Sequence, residues 1–248
     1  MNTTFLKRLS LACTAVLSIG AAHASVIITG TRVIYPAEEK EVTVKLNNDG
    51  TVPALVQTWI DDGDSSTEAQ KKAMPFTLTP PVFRLDPAKG QTLRMMYTQD
   101  PLPQDRESVY YLNVLEIPPR VQSDESRNIL QMAFRSRIKI FFRPKGLEGD
   151  ANEAPAKVIW SVVPAAAGKG YALQADNPTP YHVNVTKTSI SIGGKTYESA
   201  PGMVAPFAKH SFALEGLTAQ PSAPLRVQYE TVNDYGAMVP SVFPPENK

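Results

Sequence analysis

Apolar and polar residues exchange places over short distances along this chain. Runs rich in β-branched and aromatic residues stand at Val26-Ile27-Ile28, Val42 to Leu46, Ala54 to Ile60, Phe76 to Thr79, Thr92 to Tyr97, Val109 to Leu115 and Ile129 to Phe142. Between them, Asn47-Asn48-Asp49-Gly50 and Asp61-Asp62-Gly63 carry the residue types that tolerate the positive φ of a tight turn. Seven such runs predict a β-sandwich, with Trp59 as a candidate for its core. Thr79-Pro80-Pro81 should end a strand, because proline lacks the ladder N–H and restricts the residue before it; a cis bond there is left open. No window sustains the apolar spacing of a long amphipathic helix, and Gln70 to Met74 has room for one helical turn.

Arg143-Pro144-Lys145-Gly146 breaks the pattern, and the acidic, polar stretch from Leu147 to Pro155 reads as a linker. A second set of runs follows at Val158 to Val163, Tyr171 to Ala175, Tyr181 to Ile192, Lys195 to Glu198, His210 to Leu214, Leu225 to Val232 and Met238 to Phe243. Gly193-Gly194 between Ile192 and Lys195 is a two-residue hairpin signal. The expectation is all-β, with one sandwich over residues 25–145 and a smaller one over 146–248.

The start of the chain changes the compartment. Lys7 and Arg8 precede an apolar run from Leu9 to Ile19, and Ala22-His23-Ala24 supplies small residues for cleavage, so residues 1–24 read as a secretory signal that is removed. The run is shorter than the roughly 20 residues that span a bilayer, so no membrane insertion is expected. Cys13 falls inside the discarded segment, which leaves the exported chain without a disulfide or thiol chemistry. Losing Lys7 and Arg8 leaves 23 basic against 24 acidic side chains, a balance that offers no global attraction to nucleic acid or an anionic surface.

Catalytic and cofactor signals are weak throughout. His182 and His210 are 28 residues apart with no neighbouring ligand pattern, so zinc is not expected, and each reads as a strand or loop histidine with one ordinary hydrogen bond. No nucleophile elbow, phosphate loop or dinucleotide fingerprint is present, and Gly168-Lys169-Gly170 stops after two glycines. No cofactor or metal is implied, and the chain does not read as an enzyme.

One strand stands out on its residues alone. Leu130, Met132, Phe134, Ile138 and Ile140 alternate with Gln131, Arg135, Arg137 and Lys139, giving one apolar face and one basic face. By pattern it is an amphipathic strand on its own core. Lys139 has the opposite parity to Leu130, Met132 and Phe134. Either a bulge or twist intervenes between Phe134 and Lys139, or the cation and the apolar trio address different places, and the second is preferred. Repeated Arg and Lys would also discourage edge-to-edge pairing.

Four stretches carry a family resemblance: Thr31-Arg32-Val33-Ile34-Tyr35, Thr79-Pro80-Pro81-Val82-Phe83-Arg84-Leu85, Leu102-Pro103-Gln104-Asp105-Arg106-Glu107-Ser108 and Ile138-Lys139-Ile140-Phe141-Phe142-Arg143-Pro144. A weaker fifth is Asn233-Asp234-Tyr235-Gly236. In that order they resemble the PapD-type periplasmic chaperones of the chaperone-usher pathway, which build two immunoglobulin-like sandwiches at an angle with a cleft between them.

The resemblance implies a function and roles. Leu130, Met132 and Phe134 match donor-strand side chains that fill the groove of an incomplete pilus subunit. Arg32 and Lys139 match two cleft cations that grip the subunit's C-terminal carboxylate. Glu107, Arg143 and Asp234 match a salt-bridge set that fixes the angle between the domains. The implied partners are pilin or fimbrial subunits and an outer-membrane usher, and a self-capping dimer of the client-free chain is left open. The connection from Glu116 to Ile129, with Pro118-Pro119, is similar to the short-loop branch, whose clients are adhesive rods. The alternative of another class is a secreted adhesion or carbohydrate-binding sandwich module.

Overall fold

The computed structural model describes residues 25–64, 73–120, 130–165, 170–221 and 224–245. The export signal expected at 1–24, most of the helical turn expected at 70–74, Gly168-Lys169, and Ile129 at the head of the expected last strand lie outside the described residues.

The first sandwich is built from β1 (Val26–Ile28), β2 (Arg32–Pro36), β3 (Val42–Asn48), β4 (Ala54–Asp61), β5 (Phe76–Thr79), β6 (Val82–Leu85), β7 (Gly90–Tyr97), β8 (Ser108–Ile117) and β9 (Phe134–Arg143). One sheet runs β1-β3-β7-β5 and the other β2-β9-β8-β4-β6. Tyr35, Leu46, Val56, Leu93, Met95, Leu112, Ile140 and Phe142 meet between them as a buried core. Alternation decides who enters: Val56, Thr58 and Ile60 of β4 face inward, so Trp59 is turned to the outer face, against the expectation that it fills the core. β2 and β6, of five and four residues, lie where no strand run was expected. β5 does end at Thr79, and the Thr79–Pro80 bond is cis.

The second sandwich comprises β10 (Ile159–Pro164), β11 (Tyr171–Asp176), β12 (Val183–Ile192), β13 (Lys195–Ser199), β14 (Gly202–Val204), β15 (Lys209–Ala213), β16 (Val227–Val232) and β17 (Met238–Phe243). Its sheets run β10-β11-β15 and β13-β12-β16-β17, with β14 paired to β12. Trp160, Leu173, Val183, Val185, Phe212, Val227 and Tyr229 form a separate core, against which Leu147 already packs. Gly193 and Gly194, both at positive φ, close the β12–β13 hairpin at the pair Ile192 and Lys195. The two cores meet across polar contacts that set the functional geometry.

Candidate functional site

β9 has two unlike halves. Its antiparallel ladder with β8 runs unbroken from Glu116 opposite Phe134 to Ser108 opposite Phe142. β2 lies along its other edge only from Lys139 to Arg143, in parallel. Among the described residues, Phe134–Ile138 thus keeps one uncovered edge, with main-chain groups available for another strand.

The expected strand from Leu130 is shortened: regular pairing starts at Phe134, and Leu130–Ala133 lie before it. The reason is on the partner, because β8 ends at Ile117 and Pro118-Pro119 cannot donate to a ladder. Gln131 instead bonds both proline carbonyls through its side-chain amide, at 3.0 and 2.8 Å. Leu130, Met132 and Phe134 are exposed by 84 %, 51 % and 37 %, an apolar row with no cover.

No bulge separates Phe134 from Lys139, since the register does not shift. Ile140 and Phe142 enter the first core, whereas Lys139, Phe141 and Arg143 share the opposite face, toward the second domain. Arg32 and Lys139 are cross-strand neighbours in the β2–β9 pair. The Arg32 guanidinium donates to the Val232 carbonyl at 2.9 Å, and the Lys139 ammonium to the Asn184 side-chain oxygen at 2.6 Å. Neither meets a carboxylate at salt-bridge distance among the described residues. Burial pushes the Lys139 ammonium below its ordinary range, and repulsion from Arg32 adds to the effect. Burial also lowers Arg32, partly offset by Asp234. Two desolvated cations side by side are primed for an anion, which would relieve both costs. Beside them opens a cavity of about 220 Å³, lined by Arg32, Phe141, Arg143, His182, Asn184 and Asp234 among others.

Glu107, Arg143 and Asp234 come together at the domain junction. Arg143 donates from Nε to Glu107 at 2.8 Å, and from Nη1 and Nη2 to the two Asp234 oxygens at 2.8 and 3.1 Å. Burial would lower this guanidinium, but bonding and attraction from Asp234 and Glu107 outweigh it and hold it above its ordinary range. The planar fork suits two carboxylates at once. Sequence reasoning missed the fourth member: His182, read as an ordinary histidine, gives its backbone N–H to Glu107 at 2.8 Å and places Nδ1 3.2 Å from the same oxygen. The contact spans 75 residues, and no spacing rule reaches that far.

A second missed constellation lies on the outer face of β4-β8-β9. Asp61, with no solvent exposure, pairs with Arg137, lies 3.5 Å from Arg135, and accepts from Asn113 at 2.7 Å and the Gly63 N–H at 2.9 Å. Arg135 also covers Trp59, and Arg137 covers Tyr111 at 3.9 Å. These arginines tie the open half of β9 across the face of the sheet. Among the described residues no cluster of three or more His, Cys, Asp or Glu could hold a metal ion.

The chain matches two family models: the PapD N-terminal domain of pili and flagellar-assembly chaperones over residues 25–148, and the C-terminal domain of the pili assembly chaperone PapD over 153–243. It is 44 % identical over 224 residues to the chaperone protein FimB/FhaD of Bordetella pertussis, covering 89 % of this chain and 88 % of that one. The crystal structure of the YadV chaperone superposes with a TM-score of 0.76 at 40 % identity, covering 88 % of this chain and 98 % of that one. The SafB chaperone of Salmonella enterica, solved in complex with the SafA pilin, matches with a TM-score of 0.73 at 25 % identity, covering 90 % and 98 %. With two-domain coverage and identities of this size, the chain belongs to the PapD-type chaperones of the chaperone-usher pathway, assembly factors and not enzymes.

Proposed function

We propose that this chaperone works in the periplasm, captures pilus subunits by lending them the open edge of β9, and passes them to an outer-membrane usher. The observation that carries the reading is the unpaired stretch Phe134–Ile138, which runs from the exposed apolar row directly into the cationic pair Arg32 and Lys139. A subunit strand added there gains main-chain bonds along the edge while Leu130, Met132 and Phe134 enter its apolar groove. At roughly 1.5 to 3 kcal/mol each, the three side chains supply about 5 to 9 kcal/mol gross. Lost rigid-body freedom costs about 4 to 15 kcal/mol, so filling the groove does not suffice. The subunit's C-terminal carboxylate on Arg32 and Lys139 adds charge-assisted bonds and fixes the register of the added strand. The clamp of Glu107, Arg143, Asp234 and His182 keeps Val232 and Asn184 where they hold those cations. The short connection after β8 favours clients of the adhesive-rod type.

The test uses a synthetic peptide of alternating apolar residues with a free C-terminal carboxylate, and its C-terminal amide. Binding of the free acid, weakened about tenfold or more by amidation and by Arg32→Ala or Lys139→Ala, is expected. Equal binding of acid and amide, or normal binding by both variants, rejects the anchor.

A further inference from the structure

The carboxylate of Glu116 sits in a curious place. It belongs to the inward parity of β8, is only 7 % exposed, and stands opposite Phe134 at the root of the open edge. A carboxylate at such a depth ordinarily has a cationic partner. No Lys, Arg or His side chain bonds it among the described residues. Its partners come from the first two described residues: the Ser25 main-chain nitrogen lies 3.3 Å from one oxygen and 3.1 Å from the other, the Val26 N–H donates to the second at 3.0 Å, and the Ser25 hydroxyl bonds the first. Both oxygens thus converge on a single main-chain nitrogen. An amide nitrogen has one hydrogen and no charge to offer them, whereas an ammonium has three hydrogens and a full charge.

The sequence places the export cleavage between Ala24 and Ser25. We infer that Glu116 is the receptor for the α-ammonium group created by that cleavage, so that removal of the signal completes a buried ion pair which the precursor cannot form. In the covalent step water adds across the Ala24–Ser25 peptide bond, leaving a carboxylate on Ala24 and an amine on Ser25 that takes up a proton at neutral pH. The chain is already in position to use it. Asp49 donates its N–H to the Ser25 carbonyl at 2.8 Å, and β1 continues at once from Val26 along β3. Because β1 belongs to one sheet and Glu116 to the other, the ion pair ties the two layers of the first sandwich together. Stability is withheld until the chain has been processed, and it is delivered beside the residue that starts the open edge.

Four forms test this: the processed protein, the same chain with one glycine placed before Ser25, and Glu116→Gln with and without that glycine. The intact mass of the protein recovered from the periplasm should correspond to a chain starting at Ser25; a start elsewhere overturns the inference. The added glycine should raise the unfolding equilibrium constant about tenfold or more when Glu116 is present and hardly at all in the Glu116→Gln variant, a coupling that defines the pair. Additive effects of the two changes overturn it. Reductive methylation at neutral pH supplies a readout that a structural role alone would not move. The α-amine of the processed protein should be protected while surface lysines react, and Glu116→Gln should expose it. An α-amine that reacts as fast as surface lysines in the unaltered protein overturns the ion pair even if the variants fail to fold.

Discussion

The two halves of β9 are built on one alternating pattern, yet they have opposite fates. From Lys139 to Arg143 the strand is flanked by β2 and β8, and Ile140 and Phe142 are fully buried. From Phe134 to Ile138 it has β8 on one side and, among the described residues, no strand on the other, and Phe134 is exposed. The difference lies in what surrounds the strand, not in its composition. β2 is five residues long and pairs only with the second half, from Arg32 opposite Lys139 to Pro36 opposite Arg143. The bare half is held extended by its ladder to β8, and Arg135 and Arg137 add a tie to Asp61 across the sheet's face.

The sharpest way to break the comparison is to truncate one aromatic ring in each half. Phe142→Ala should destabilise the protein by about 3 to 5 kcal/mol in denaturant unfolding, because a buried ring leaves a cavity. Phe134→Ala should change unfolding by less than about 0.5 kcal/mol, as surface substitutions do, while weakening capture of a pilus subunit. Comparable losses of stability in the two variants would mean that the halves are not distinct.

A smaller effect is expected where the covered half ends. Arg143→Ala leaves the Glu107 carboxylate, almost wholly buried, without its cation, at a cost of about 3 kcal/mol. The loss should appear in the coupling between the sandwiches, as a change in small-angle scattering and separate unfolding transitions. Scattering and a single transition identical to those of the unaltered protein would count against the clamp.

The smallest effect is a titration. Burial, then repulsion from Arg32, holds the Lys139 ammonium below the ordinary lysine value of about 10.4. A bound carboxylate favours the charged form and raises it, so binding takes up a proton wherever the free chaperone has lost one. Affinity for the free-acid peptide is therefore greatest below the depressed range and falls as pH rises through it, earlier than for an exposed lysine. The amide peptide should show a flatter profile, and parallel profiles would remove Lys139 from the anchor.

Much of the first domain was readable because its strands announce themselves by alternation and its turns by Asn, Asp and Gly. Trp59 shows where that reading weakens: a large apolar ring suits a core, but its parity in β4 sends it outward to meet Arg135. Leu130 and Met132 share the alternation of the strand without sharing its ladder, because Pro118 and Pro119 end the partner. His182, Asp61 and Glu116 carried no local signal. Each acquires its meaning from a residue 75, 76 and 91 positions away: Glu107, Arg137 and Ser25.

By itself, then, the sequence determined the all-β class, the division into two sandwiches and the apolar and basic faces of β9, because periodicity and turn chemistry act over a few residues. Only the tertiary structure decided which half of that strand is left bare, which charges face the second domain, and which carboxylate is buried against Ser25 and Val26. Burial and ion pairing are set by contacts between segments far apart in the chain, and those contacts exist only once both sheets have closed.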